Sequence, residues 1–287
     1  HNFNDGFRTP HEYQKVEAMD MEDLRPLVDY KALQEFRERA LSPMRPEMKG
    51  MAENPDVFFT HRESCNRFYD AVPDIVSDYM KEISKITGRE YRPFNYYGAP
   101  DAENIIICMG SACEAIREVI DYEAAKGNKK LGLINVHLYR PFSLKYLQEA
   151  LPKSVKRICV LDRTKEPGAN GEPLYLDVKD ALDELGLKDL LVVGGRYGLG
   201  SNDTTPAQML AVFENLALPE PKNHFTVGSN DDVTFTSLPV GEEIAMGDAS
   251  LFQAKFYGLG AAGTVGATKN PVTLIGDTPD KHCPPYP

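Results

Sequence analysis

From residue 104 to residue 217 the chain alternates short apolar runs with amphipathic stretches. This pattern limits the fold more than any other feature. Residues 104–109, 131–137, 157–161 and 190–193 read as strands. Each is a nearly continuous apolar run, as expected when helices cover both faces of a sheet. Residues 111–126, 143–150, 175–186 and 205–217 read as the intervening helices. Gly127 stops the first, Ser143 caps the second, and Thr204 or Thr205 with Pro206 opens the last. Four β–α repeats at this spacing predict an α/β fold with a doubly wound, mainly parallel sheet. Sheets of this kind bind ligands beyond the C-terminal ends of their strands. Here that edge carries Gly110-Ser-Ala, Leu138-Tyr-Arg-Pro-Phe, Asp162-Arg-Thr-Lys-Glu-Pro-Gly and Gly194-Gly-Arg-Tyr-Gly.

The first part of the chain reads differently. Residues 1–66 are polar and irregular with helical patches. Leu24, Leu27, Val28, Leu33, Phe36 and Ala40 fit an amphipathic helix, or two short ones broken near Pro26. Ser42-Pro-Met-Arg-Pro is a connector, and 55–60 reads as a short strand or extended arm. This stretch has too little apolar periodicity for a core of its own and reads as an arm wrapped over another domain. Residues 67–88 predict a helix with Phe68, Ala71, Val72, Ile75, Val76, Tyr79, Met80, Ile83 and Ile86 at helical period and Gly88 at its end. Pro73 conflicts with it and predicts a kink in the first turns. The aromatic run Tyr91, Phe94, Tyr96 and Tyr97 reads as packing in preference to a ligand platform. Residues 219–247 are linker-like, with 226–234 suited to a hairpin.

Charge excludes some partners. The formal net charge is −11, whereas nucleic acid and anionic membrane surfaces require a basic excess. No apolar run approaches the length of a membrane span. Five cysteines, Cys65, Cys108, Cys113, Cys159 and Cys283, form no C-x-x-C pair and no metal-ligand spacing. Their odd number and irregular spacing point to a reducing, cytoplasmic setting. Cys108 and Cys159 stand inside strand-like runs as small buried hydrophobes. The six histidines are scattered, and no catalytic or metal-binding set emerges. Asp162-Arg-Thr-Lys-Glu suits an active-site edge or, better, a charged domain contact. Arg196 suits a phosphate, a carboxylate or a surface salt bridge.

Near the C-terminus, Leu251 to Tyr257 alternates like a strand. Gly258, Gly260 and Gly263 follow in G-x-G-x-x-G spacing, and Thr264 to Lys269 begins a helix. A strand, a glycine turn and a helix N-terminus make an anion cradle, although the same glycines also suit a turn that binds nothing. The residues left after Lys269 are too few for the strand that would complete a βαβ unit. The chain opens on His1-Asn-Phe-Asn-Asp-Gly with no initiator methionine or signal pattern. Both ends are therefore expected to be internal positions of a longer chain, with the last α/β unit cut short.

Several phrases together resemble one family. They are Gly6-Phe-Arg-Thr-Pro-His-Glu, Gly88-Arg-Glu-Tyr, Asn135-Val-His-Leu-Tyr-Arg-Pro-Phe, Leu161-Asp-Arg-Thr-Lys-Glu-Pro-Gly, Val192-Val-Gly-Gly-Arg-Tyr-Gly-Leu, Asn223-His-Phe-Thr-Val-Gly, Lys255-Phe-Tyr-Gly-Leu-Gly, Gly263-Thr-Val-Gly and Lys269-Asn. They are similar to pyruvate:ferredoxin (flavodoxin) oxidoreductase, the thiamine diphosphate and iron–sulfur enzyme of anaerobic metabolism. The resemblance implies an internal segment. Residues 1–66 would close the first domain, on the pyrimidine side of thiamine. Residues 67–225 would be a domain similar to the transketolase C-terminal domain, 226–247 a linker, and 248–287 the start of the coenzyme A-binding domain.

The resemblance also implies the chemistry: oxidative decarboxylation of pyruvate to acetyl-CoA and CO2, with electrons passed to ferredoxin or flavodoxin. It implies a homodimer and the remaining domains of the enzyme as partners. Thiamine diphosphate, Mg2+ and 4Fe-4S clusters would be held outside this segment, which alone would be inactive. Gly258, Leu259, Gly260, Ala261, Gly263, Thr264 and Lys269 match the family's loop at the coenzyme A site. Ala261 and Ala262 replace its usual Ser and Asp, and Pro271 interrupts where its helix continues. The alternative is a purely structural segment, an interdomain or dimer scaffold without ligand contact.

Overall fold

The computed structural model describes residues 18–48, 52–128, 130–244, 270, 271, 274 and 275. Those up to Asn95 form one compact unit together with His137–Ser143, and Tyr96–Val136 with the residues from Leu144 form another.

The first unit is helical. Helix α1 (Met21–Leu24) starts at Asp20, whose side chain accepts from the amides of Glu22 and Asp23. A 3-10 turn, Arg25–Leu27, follows with Pro26 inside it, so the helix expected around Pro26 is indeed divided. Helix α2 (Tyr30–Glu38) is capped by Asp29, which accepts from Ala32 N–H. Helix α3 (Pro55–Ser64) replaces the strand or extended arm expected at 55–60. Pro55 explains the difference, because at the first helical turn it loses no hydrogen bond and presets the helical φ. Helix α4 (Asn66–Thr87) runs through Pro73 and ends at Gly88, whose φ of 69° is the left-handed C-cap that glycine adopts without penalty.

The aromatic run supplies the packing of this unit. Phe94 is buried and meets Phe142 edge to face at 5.4 Å. The amides of His137 and Leu138 both donate to Pro93 O, at 2.9 and 3.0 Å. Asn95 accepts from Arg92 N–H and donates to Glu90 O, satisfying a buried amide side chain.

The second unit holds the sheet. Strand β1 (Phe94–Gly98), which falls within the aromatic run expected to serve packing, enters it through Tyr96–Gly98. Then come β2 (Asn104–Cys108), α5 (Ala112–Ala125), β3 (Leu131–Val136), α6 (Leu144–Ala150), β4 (Arg157–Asp162), α7 (Pro173–Glu184), β5 (Leu191–Arg196), α8 (Pro206–Ala217) and the short β6 (Phe225–Thr226). The six strands lie in the order β1-β3-β2-β4-β5-β6. The pairings β2–β3, β2–β4, β4–β5 and β5–β6 are all parallel. The expected mainly parallel α/β fold is therefore observed.

Strand alternation divides the core into two layers. Ile106, Cys108, Leu133, Cys159, Leu161 and Val193 pack with Ile116, Val119, Met209 and Val212 from α5 and α8. The intervening Ile105, Ile107, Ile158 and Val160 are equally buried and belong to the opposite face, where α7 lies against β4 and β5. Beyond α8, Phe225, Val227 and Leu238 join the first layer.

Residues 226–234 form no hairpin. Thr226 bridges Ser237 in parallel, and the Asp231 carboxylate gathers the amides of Val233, Thr234 and Thr236. Hydrogen bonds led by that from the Thr234 hydroxyl hold the Asp231 carboxyl well below the usual range. A short acidic side chain bonding the backbone just ahead of it competes with antiparallel pairing.

Candidate functional site

The seven positions expected at the coenzyme A loop, Gly258, Leu259, Gly260, Ala261, Gly263, Thr264 and Lys269, lie outside the described residues, as does Cys283. The described candidate is the carboxyl edge of the sheet, where β2 connects toward β3 on one side and β4 toward β5 on the other. Strand ends diverging in this way leave the crevice in which open α/β sheets hold ligands.

Side chains cross-link this edge. Tyr197, just past β5, is buried and donates its hydroxyl to Met109 O at 3.2 Å at the end of β2. Its hydroxyl also lies 3.5 Å from Cys108 Sγ. Burial raises the Tyr197 pKa, which keeps the phenol protonated and able to donate. Arg163, following β4, donates Nε to Gly198 O at 2.9 Å.

Toward α7 a charged network is buried. Asp162 closes β4 and pairs in register with Arg196 at the end of β5. Asp162 accepts from Leu174 N–H at 3.0 Å and Tyr175 N–H at 3.1 Å, two first-turn amides of α7. These are helix N-terminal donors that would otherwise lack partners. Burial nonetheless dominates and lifts the Asp162 pKa to about 6 from its ordinary 3.8. Arg196 donates Nη1 to Glu172 Oε1 at 3.4 Å and Nη2 to His224 O at 2.8 Å. All three charged side chains are buried, Glu172 with only 2% exposure. Arg196 therefore holds a carboxylate of its own chain, inside the protein, and is not the surface salt bridge considered from sequence. His224 is one of the two non-glycine residues with positive φ among those described, at 53°.

The Gly194-Gly195 pair has a packing role. A Cβ on Gly194 would fall 2.8 Å from the Tyr175 ring on the α7 side, and one on Gly195 would fall 2.2 Å from Phe225 on the other. Asn223 fixes the same corner, accepting from Gly194 N–H at 2.7 Å and donating to the Tyr175 hydroxyl at 3.2 Å. The glycine-rich strand exit admits two aromatic rings, one on each face.

The buried thiols fit the same picture. Cys108, Cys113 and Cys159 are free and buried in the layer beneath α5 and α8. The Cys113 thiol is pushed well up by its contact with Cys108 and by burial, and the Cys159 thiol by burial. A cluster ligand must be a thiolate, so these sulfurs do not suit iron–sulfur binding. Among the described residues no three His, Cys, Asp or Glu side chains stand together as a metal site. Asp162 and Glu172 are engaged by the α7 amides and by Arg196, and do not suit Mg2+. Thiol labelling of the native chain with peptide mapping is expected to leave Cys108, Cys113 and Cys159 unmodified until unfolding, since reactivity follows thiolate character and exposure.

Fold and edge together define an α/β domain with a parallel sheet whose carboxyl edge is cross-linked by buried side chains, accompanied by a helical unit. Comparison with known proteins specifies this class further. Residues 102–209 match the family model described as pyruvate:ferredoxin oxidoreductase core domain II. Residues 1–81 match the one described as pyruvate flavodoxin/ferredoxin oxidoreductase, thiamine diP-bdg. A pyruvate:ferredoxin oxidoreductase of Moorella thermoacetica is 53% identical over 285 residues, covering 99% of this chain and 24% of the relative. A pyruvate-flavodoxin oxidoreductase of Enterobacter agglomerans is 52% identical over 286 residues, with the same coverage. A protein of Cryptosporidium parvum named pyruvate dehydrogenase [NADP(+)] is 46% identical over 288 residues, covering 99% of this chain and 15% of its own length. The chain belongs to the pyruvate:ferredoxin (flavodoxin) oxidoreductase family, and it spans about a quarter of the length of the first two relatives.

Proposed function

We propose that the chain works as part of an enzyme that oxidatively decarboxylates pyruvate to acetyl-CoA and CO2 and passes the electrons to ferredoxin or flavodoxin. The observation that carries this reading is the near-complete alignment with three relatives whose names share pyruvate. Those names differ in flavodoxin, ferredoxin and NADP+, so the segment they hold in common serves the pyruvate half and leaves the acceptor to other parts. Thiamine diphosphate supplies the carbanion chemistry when bound. The described residues of this chain contribute packing: Tyr197 ties the end of β5 to the end of β2, Asp162 holds the α7 amides, and Arg196 holds Glu172.

Within that enzyme, Gly258 to Lys269 is proposed as one wall of the coenzyme A site. A glycine turn at a helix N-terminus suits the pyrophosphate and 3′-phosphate of coenzyme A. Calorimetry on the full-length enzyme tests it. Gly258→Val with Gly260→Val is expected to weaken coenzyme A binding at least about tenfold, on the order of 1.4 kcal/mol. Pyruvate-dependent CO2 release is expected to persist. Unchanged coenzyme A affinity would favour the second reading, a scaffold without ligand contact. The internal pairing of Arg196 with Glu172 favours that reading for the described residues. Homodimerisation of the full enzyme and cytoplasmic residence are part of the proposal.

A further inference from the structure

Helix α4 carries a broad apolar arc that is covered along one side only. Pro73 and Ser77 are buried, with Val76, Met80 and Ser84 partly buried on the same side. Arg67, Asp70, Asp74, Asp78, Lys81 and Lys85 line a charged side. Phe68, Ile75, Tyr79 and Ile86 form the outer edge of the arc, spaced seven, four and seven residues apart and joined to the buried side by the partly buried Val72 and Ile83. At about 100° per residue this spacing returns to one line along the helix. The structure leaves this edge of the arc open, with exposures of 62%, 52%, 42% and 38% along the row. The last two are partly shielded because Pro26, Leu27 and Val28 face Tyr79 and Ile86 across an open groove of about 590 Å3. An apolar arc covered over only part of its width leaves the rest for a further partner.

We propose that the Phe68–Ile75–Tyr79–Ile86 row is the seat of the body of the thiamine-binding domain in the full-length enzyme; this rests on the reading that the chain works inside a longer pyruvate oxidoreductase. Three observations select that occupant. The match to the thiamine-binding family model runs through residue 81 and so includes Phe68, Ile75 and Tyr79. Over the described part of that match, α1, α2 and α3 bury no residue, and α4 buries only Pro73 and Ser77. Helices that bury so little do not offset the entropy of ordering them, so the core they belong to is completed by further residues. The relatives are about four times as long as this chain, and so have the residues to supply it.

A second copy of the chain is a poorer occupant. Glu22, Asp23, Asp29 and Glu82 rim the groove, and a two-fold contact through one patch would bring like charges together.

Photocrosslinking in the full-length enzyme tests the seat without depending on a destabilised variant. Phe68→p-benzoylphenylalanine and Ile75→p-benzoylphenylalanine are expected to give cross-links within one chain, mapping by mass spectrometry to the thiamine-binding domain. Asp70→p-benzoylphenylalanine, on the charged side, is expected to give none. Cross-links between two chains, cross-links to a different domain, or none from either row position would overturn the proposal. An enzyme that gives the expected cross-links but does not couple pyruvate to ferredoxin or flavodoxin reduction would overturn the functional reading and leave the seat intact.

Discussion

Arg196→Met is expected to destabilise the sheet unit by about 3–5 kcal/mol, the usual cost of breaking a buried ion pair by removing one partner. The guanidinium joins two elements, bonding Glu172 before α7 and the His224 carbonyl before β6. Its removal leaves the Glu172 carboxylate, only 2% exposed, without its cation and the His224 carbonyl without that donor. Adding Glu172→Met removes the stranded charge, and the double variant is expected to recover much of the loss. The pair itself contributes little, because desolvating both charges offsets most of their attraction. Urea unfolding of the 287-residue chain, followed by a probe specific to the sheet unit, checks both statements. Equal midpoints for Arg196→Met and the native chain would show that the network is not a fastening.

Acid is expected to strengthen the same corner through Asp162. Its folded pKa, about 6, lies above the ordinary 3.8. Between those values the folded chain therefore binds more protons than the unfolded one, and stability falls as pH rises. The Asp162 contribution is greatest below about pH 4, declines between about pH 4 and 6, and is flat above. A shift of about two units corresponds to about 3 kcal/mol across that window. Asp162→Asn removes this titration while retaining one carbonyl oxygen for an α7 amide. The variant is expected to lose the negative slope that Asp162 adds to the native profile. Parallel profiles for the two chains from pH 4 to 6 would show that the carboxyl is not held in its protonated form by burial.

Much of the fold was legible in the residues. The runs at 104, 131, 157 and 190 became β2, β3, β4 and β5 because each is apolar on both sides and too short for a helix. Gly88 and Thr205 ended and opened helices where their local chemistry requires, the first through positive φ and the second through its cap on Gln208 N–H. Strand β1 is not marked in the sequence, because aromatics and Asn in Phe94–Gly98 lack the aliphatic run of the other strands. Its place comes from tertiary contacts: Phe94 against Phe142, and the Tyr96 ring over Gly132. Helix α3 carries conflicting local signals: Val57, Phe58 and Phe59 favour a strand, while Pro55 at the first turn favours a helix.

The sheet edge shows the same division more sharply. Asp162, Arg196 and the Gly194-Gly195 pair stood out in the sequence as residue types suited to binding. Their roles depend on Glu172, Tyr175, Tyr197, Asn223 and His224, which come from other segments and have no fixed spacing to them. The sequence alone determined the parallel α/β architecture and the family, because periodicity and short phrases are local properties. Tertiary structure decided that Arg196 is paired internally, that the glycines make room for rings, and that part of the apolar arc of α4 stays uncovered. The physical reason is burial: a charge, a glycine or an apolar row acquires its meaning only from what lies within a few ångströms of it, and distant parts of the chain supply those neighbours.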